Sequence, residues 1–244
     1  MGGEHRIRIV GSEVGAHTHV LDLNSSFRPD VPLLKLQVDI DWTPRSPSRA
    51  LSRLEDRLVE LCPGLRDHEC RGHFRYHILQ SGEHADGEAE PIEAALALAH
   101  LLEHVLIDTL AYITSATRLS GITGAHRTSR RRFDIFVECP DPMVTTLVTR
   151  LALSWIAGSL GATSLNGRGR VSLELVRLLY LDRSRGVLLE DMTDHLGRPT
   201  REVRGALRWL EKEGFARKVS SRAKKGRERY RLHRLNRAAS RKVH

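Results

Sequence analysis

The sequence has few cysteines and no uninterrupted apolar run of membrane-spanning length. Its 244 residues include three cysteines, Cys62, Cys70 and Cys139. This odd number argues against a disulfide framework in a chain without an export signal. The longest apolar runs, residues 92–102 and 147–157, are too short and too often interrupted by polar residues to predict a membrane span. The opening MGGEHRIRIVGS lacks the apolar core of a signal peptide, so we expect a cytoplasmic protein with no membrane partner.

Acidic residues are scarce in the last fifth of the chain. From Arg198 onward there are 17 Lys and Arg against 4 Asp and Glu, whereas residues 1–197 have 22 against 26. A local excess of positive charge is typical of a surface that neutralises nucleic-acid phosphates, and the rest of the chain would repel them. The charge distribution therefore predicts a C-terminal end that binds nucleic acid.

The pattern of apolar residues divides the chain into two domains. Alternation in HRIRIVGS, LLKLQVDIDW, HFRYHILQ and RFDIFVEC predicts strands. Helical periodicity predicts helices in LSRLEDRLVELC, residues 91–117 and MVTTLVTRLALSWIAGSL. We expect an α/β (α+β) two-layer N-terminal domain over residues 1–160, with helices on one face of a mixed sheet. GATSLNGRGR predicts a linker at 161–171, followed by a second domain over 172–235 and a basic tail over 236–244.

The second domain reads as three short helices followed by a β-hairpin. The third helix, TREVRGALRWLEKEG, begins with Thr200 as a candidate cap, and its Val203, Leu207 and Leu210 form an apolar stripe. This stripe leaves a basic outward face. That face consists of Arg201, Arg204, Arg208 and Lys212.

This order of elements, with the phrase LGRPTREVRGALRWLEKEGFARK, resembles the winged helix-turn-helix family over residues 170–235. In that family the third helix enters the major groove of duplex DNA, and dimers are common, so a homodimer is a further expectation. The resemblance implies DNA contacts along the helix from Arg198, Thr200, Arg201, Arg204 and Arg208. It implies phosphate contacts in the hairpin from Arg222, Lys224, Lys225, Arg227 and Arg229. The alternative is a winged helix that contacts protein, with the arginines as a solvated face.

The run AHLLEHVLIDTL holds two histidines and a glutamate within one apolar helix. His100 and His104 lie one turn apart on the same face, with Glu103 beside them. This spacing can place two imidazole nitrogens on one Zn²⁺. It is also the H-x-x-E-H order of the inverzincin metallopeptidases, in which the glutamate is the general base. The alternative is a structural pair of histidines.

Residues about 60–158 resemble the N-terminal domain of cyanophycin synthetases, in the order and spacing of LCPGLRDHEC, AHLLEHVLIDTL, SGITG and FDIFVEC. In that family the domain resembles the pitrilysin-type inverzincin fold and hydrolyses the polymer chain. The resemblance implies a zinc ion held by His100, His104 and Glu138, with Glu103 as the catalytic base. It further implies that Asp108 orients His104 and that His68 lies near the cleft.

The family resemblances lead to a prediction of function with one alternative. Cyanophycin synthetases continue into ATP-dependent ligase modules, and the sequence has no G-x-x-x-x-G-K-[ST] phosphate loop, so polymer synthesis is not expected. The sequence predicts a zinc-dependent peptidase or amidohydrolase, acting on a peptide or protein substrate, coupled to a duplex-DNA-binding winged helix that regulates transcription. The alternative is a non-catalytic transcription regulator whose N-terminal domain senses a metal or ligand or mediates protein interaction.

Overall fold

The protein combines α-helices with antiparallel sheets, which makes it an α+β structure. A computed structural model describes residues 6–67, 91–126, 129, 131–160, 168–219 and 228–233. The helices of these residues, α1 to α6, are Pro47–Val59, Pro91–Thr114, Pro142–Leu160, Arg168–Leu181, Leu189–Leu196 and Thr200–Lys212. The strands, β1 to β7, are Arg6–Gly15, Leu33–Asp41, Gly121–Ala125, Arg132–Glu138, Val187–Leu188, Ala216–Val219 and Arg229–Leu232. Short 3-10 helices cover Thr18–Val20 and Pro63–Asp67.

The first sheet has the strand order β1-β2-β4-β3, and all three pairings are antiparallel. The mixed sheet expected from the sequence is therefore corrected to an antiparallel one within the described residues. The short connection between β3 and β4 explains one pairing, because two strands joined so closely must run in opposite directions. The predicted strand in HFRYHILQ lies outside the described residues.

Helices cover one face of this sheet. Along β2 the residues Leu34, Leu36, Val38 and Ile40 are buried in the main core, while the residues between them face the other side. Helix α1 buries its leucine stripe as its periodicity predicts, and α2 lies against β3 and β4. On the opposite face of the sheet a small second cluster contains Val20, Phe27, Leu33 and Phe136. The two faces of the sheet are thus chemically distinct.

Helices α2 and α3 are the apolar centre of the molecule. By length and hydropathy alone, Ala94–Thr114 and Pro142–Leu160 are each sufficient to cross a bilayer, so the exclusion based on run length was too strict. However, 72% of the most apolar 18-residue window in the first stretch and 56% of that in the second are buried within the protein. Core helices of a folded domain have this composition because they are surrounded by other elements. The helices carry no clear membrane signature.

The C-terminal part contains α4, α5, α6 and a second antiparallel sheet of order β5-β7-β6. Helix α5 ends at Leu196, the next residue, Gly197, adopts the left-handed conformation with φ of 57°, and α6 begins at Thr200. Pro199, not Thr200, occupies the position before the helix, and no side chain caps it. A proline disfavours helical geometry in the residue before it, which accounts for the start of α6 here.

Helix α4 joins the C-terminal part directly to the core. It begins at Arg168, inside the expected linker 161–171, so the last four residues of that linker are helical. A side chain at Gly169 would meet Leu61 Cδ2 at 2.7 Å, and Trp155 lies beside it. A larger residue at this position would require Leu61 to shift, so glycine favours this close approach of helix to core.

Three cationic contacts also join the two parts. The Arg177 guanidinium lies 4.4 Å from the centre of the Tyr112 ring, and Arg150 lies 5.0 Å from the centre of the Phe215 ring. Arg183 forms a 2.8 Å ion pair with Asp141, whose Oδ1 also accepts hydrogen bonds from the first turn of α3. A single hydrophobic cluster extends from the first sheet to β7. The two predicted domains therefore share one core.

Candidate metal centre and nucleic-acid interface

The two histidines of α2 are buried, and their Nε2 atoms face each other. His100 is 8% exposed and His104 is 3% exposed, and their Nε2 atoms lie 3.0 Å apart. Two ligands at a zinc–nitrogen distance of about 2.1 Å, in tetrahedral geometry, have their nitrogens about 3.4 Å apart. The pair thus needs only a small opening to hold one zinc ion between its Nε2 atoms.

Glu103 is held beside the pair by strand β3. Its Oε2 lies 3.5 Å from His100 Nδ1 and accepts a hydrogen bond from the Thr123 hydroxyl. Gly121, two residues earlier on the same face of β3, comes so close that an added Cβ would lie 2.7 Å from Glu103 Oε1. The SGITG segment therefore fixes the carboxylate in two ways. Gly121 allows the strand to come close, and Thr123 donates a hydrogen bond.

Asp108 lies one turn beyond His104, against the start of the second 3-10 helix. A Cβ added to Gly64 would meet Asp108 Oδ1 at 2.0 Å, so this glycine makes room for the carboxylate. Cys62 lies close by, with its Sγ 3.5 Å from Thr109 Oγ1. Burial raises the pKa of the Cys62 thiol to about 12, and the negative charge of Asp108 adds to the shift. Asp108 thus contacts the connection after α1, and its proposed orientation of His104 stays a prediction.

The structure does not bring Glu138 to the histidine pair. In β4, Phe133, Ile135 and Val137 face the helices, so the alternation of the strand places Glu138 on the opposite face.

Its carboxylate is fully engaged there by Arg28 and Ser120. Oε1 accepts hydrogen bonds from the Arg28 backbone amide at 2.8 Å and from its Nε at 3.1 Å. Oε2 accepts hydrogen bonds from Arg28 Nη2 at 2.9 Å and from the Ser120 amide at 3.2 Å. With its side chain 1% exposed, Glu138 is a buried ion-pair partner of Arg28 in this structure, and its role as a zinc ligand stays a prediction.

The residues therefore fit zinc in part. His100 and His104 supply two nitrogen ligands, whereas a catalytic zinc site takes three protein ligands and one water. Among the residues that the structure describes, no group of three His, Cys, Asp or Glu side chains is arranged to hold a metal ion. His68, predicted to lie near this cleft, is outside the described residues.

Helix α6 presents a basic face to solvent. Val203, Ala206, Leu207 and Leu210 are buried in the core. The predicted DNA-contacting residues of this segment are all exposed, as the apolar stripe indicated; they are Arg198, Thr200, Arg201, Arg204 and Arg208. The predicted phosphate contacts of the hairpin, Arg222, Lys224, Lys225 and Arg227, are outside the described residues.

Two further cations and an acid lie at the edge of this face. Arg229 is directed back into the protein, where its Nη1 donates hydrogen bonds to the backbone oxygens of Arg185 and Gly186. Glu228 bonds to Arg204 and to Lys218, an interaction that the sequence analysis did not anticipate. Arg229 therefore has a structural contact within the β5–β7 region, and Arg204 already has an acidic partner.

No protein-family model matches the chain, and a search of curated proteins found no match. The resemblances to cyanophycin synthetases and to winged helices therefore stay predictions.

Proposed function

We propose that this protein binds duplex DNA through α6 and acts as a transcription regulator. The observation that carries the proposal is the exposed row of Arg201, Arg204 and Arg208 on a helix whose other side is buried in the core. The order α4-β5-α5-α6-β6-β7 and the left-handed glycine before α6 are typical of a winged helix. In such a domain this helix is the one that enters the major groove.

Charge and shape favour duplex DNA over protein as the partner of this face. Duplex DNA offers closely spaced phosphates and a groove wide enough for one α-helix. An arginine can bind a guanine edge through two hydrogen bonds, and the exposed arginines of α6 recur at one-turn or near one-turn spacing. The cations of residues 220–227 extend the positive charge along the chain.

The test is binding of a labelled duplex, followed by fluorescence anisotropy at increasing salt. We expect the affinity to fall steeply with salt, since each phosphate contact contributes a slope of about −0.9 in log affinity against log salt. Arg201→Ala with Arg208→Ala should weaken binding strongly. Arg49→Ala with Arg53→Ala removes the same charge from exposed positions of α1 and should have little effect. Equal losses from both pairs, or an affinity independent of salt, would contradict the proposal.

A second candidate function is zinc-dependent hydrolysis of a peptide or amide bond at the histidine pair. It is favoured by the 3.0 Å separation of the two Nε2 atoms and by the buried Glu103 carboxylate beside them. His100 and His104 would hold the ion, which when bound supplies Lewis acidity and lowers the pKa of water. Glu103, fixed by Thr123, accepts a proton as the base. The non-catalytic alternative, a metal sensor, uses the same two histidines.

The zinc content of tag-free protein, measured by elemental mass spectrometry, separates these alternatives. We expect about one zinc per chain in the wild type, loss of zinc in His100→Ala, and retention in Glu103→Gln. If Glu103→Gln retains zinc but loses peptidase activity, the enzyme is supported, whereas zinc without any activity supports the sensor. A wild type without zinc contradicts both and leaves the N-terminal part as an interaction module.

A further inference from the structure

We infer that Glu228 is a specificity-determining residue of the DNA-binding face, because its carboxylate competes with DNA phosphates for Arg204 and Lys218. This inference rests on the proposed DNA-binding function. It adds that Arg204 leaves Glu228 when DNA offers it a base edge with two hydrogen-bond acceptors. Binding through phosphates alone is then disfavoured. Random-sequence DNA is therefore bound more weakly than the basic composition predicts.

The ion network is defined by two contacts to one carboxylate. Lys218 Nζ lies 2.5 Å from Glu228 Oε1, and Arg204 Nη2 lies 3.3 Å from Oε2. The hydrogen bond from Lys218, reinforced by the positive charge of Arg204, lowers the pKa of Glu228. The carboxylate is therefore charged at neutral pH and neutralises part of the basic face.

A backbone hydrogen bond fixes the position of Glu228, so its side chain starts from a defined place. Its carbonyl oxygen accepts a 2.9 Å hydrogen bond from the Leu189 amide at the start of α5. Arg204 and Thr200, both predicted to contact DNA, line a cleft of about 280 Å³ together with Glu228. The competing acid thus lies within the proposed binding face and not behind it.

The contact between Arg204 and Glu228 is weak enough for a DNA group to replace the carboxylate as the partner of Arg204. Arg204 uses one nitrogen at 3.3 Å, and its side chain is 47% exposed, so the pair is neither bidentate nor desolvated. Guanine presents O6 and N7 to both arms of a guanidinium, and a phosphate can also bind it through two oxygens. Phosphates occur in every duplex, so a duplex with a guanine within reach offers Arg204 one more bidentate partner than a duplex that offers phosphates alone, and it competes better with Glu228.

The experiment compares full-length wild type, Glu228→Gln and Glu174→Gln on a labelled duplex of random sequence. Glu174 is a matched control, because it also pairs with one arginine, Arg170, but lies on α4. Freeing two cations should make the slope of log affinity against log salt steeper by up to about 1.8, and should tighten binding roughly threefold to tenfold near 0.1 M salt. Glu174→Gln should remain within about twofold of wild type, since the partner of Glu174 is Arg170 of α4 and not a cation of the basic face.

A second variant separates charge from structure. Glu228→Asp keeps the negative charge and should retain a slope close to that of wild type, whereas a merely structural role of Glu228 would make both substitutions behave alike. If Glu228→Gln and Glu174→Gln give equal affinities and slopes, the inference is overturned while the proposed DNA binding stands. If no protein in the series binds duplex DNA at any salt concentration, both are overturned. Binding by Glu228→Gln in the absence of binding by wild type supports the inference.

Discussion

Substitution of Gly121 tests how closely β3 holds the Glu103 carboxylate. A Cβ at Gly121 would lie 2.7 Å from Glu103 Oε1, 2.9 Å from Glu103 Cγ and 2.9 Å from Ile107 Cδ1. Glu103 has little freedom to move because it is 4% exposed and bonded to Thr123. Overpacking of this kind costs about 1–3 kcal/mol. Replacing a strand glycine by alanine returns about 0.5–1 kcal/mol of backbone entropy, so the net loss for Gly121→Ala is about 0–2.5 kcal/mol, centred near 1 kcal/mol.

Gly124 provides the matched control on the same strand. A Cβ at Gly124 meets nothing within 4 Å, so Gly124→Ala should leave the free energy of unfolding unchanged or raise it slightly. Urea unfolding followed by circular dichroism measures both variants. Two variants of equal stability, within about 0.5 kcal/mol, would refute the argument that Gly121 is required for the approach of Glu103.

Three further predictions concern the ion pairs and a buried thiol. Arg28→Met should lower the free energy of unfolding by about 2–4 kcal/mol, since it strands a buried carboxylate, and by much less in a Glu138→Gln background; equal losses in urea unfolding would contradict this. A hydrogen bond from Arg132 lowers the pKa of Asp39 to about 2. This pair therefore stabilises the protein above about pH 4, and the stabilisation is lost as the pH falls towards 2; thermal unfolding of Asp39→Asn should lack that component. Burial of Cys62 should prevent alkylation by iodoacetamide until the protein unfolds, and native labelling found by peptide mass spectrometry would contradict it.

Local sequence patterns predicted the positions of most helices and strands, but they did not predict that the strands of the first sheet pair in antiparallel fashion. The leucine spacing of α1 and the apolar stripe of α6 each correspond to a buried face, because a helix in a core has few ways to hide such a stripe. Strand alternation located β1, β2 and β4 but carries no information on which strands become neighbours. The predicted linker was too long, since the small residues at its end include Gly169, which packs into the core.

Helical spacing predicted some residues of the candidate site and could not predict others. The i, i+4 relation placed His100 and His104 together, as the geometry of one helix requires. The ligand role of Glu138 came from family resemblance, although the alternation of RFDIFVE already places Glu138 on the face away from Phe133 and Val137. Arg28 gives no comparable local signal, because it is 110 residues away from Glu138 in the chain. Side chains that meet across such distances are determined by tertiary structure, which a short motif does not specify.

The shared core affects how variants of the histidine pair must be interpreted. Helix α2 carries His100 and His104 and, two turns later, Tyr112, on which Arg177 of α4 lies. Helix α4 in turn contacts α6, so one continuous set of helices connects the pair to the basic face. A cavity created by His100→Ala can therefore alter DNA affinity through side-chain packing alone, without any loss of metal. Adding zinc to the metal-free wild type avoids that ambiguity, because it changes the occupancy of the pair and no side chain. A change in DNA affinity on adding zinc, absent in His100→Ala, would show that the two candidate functions are coupled.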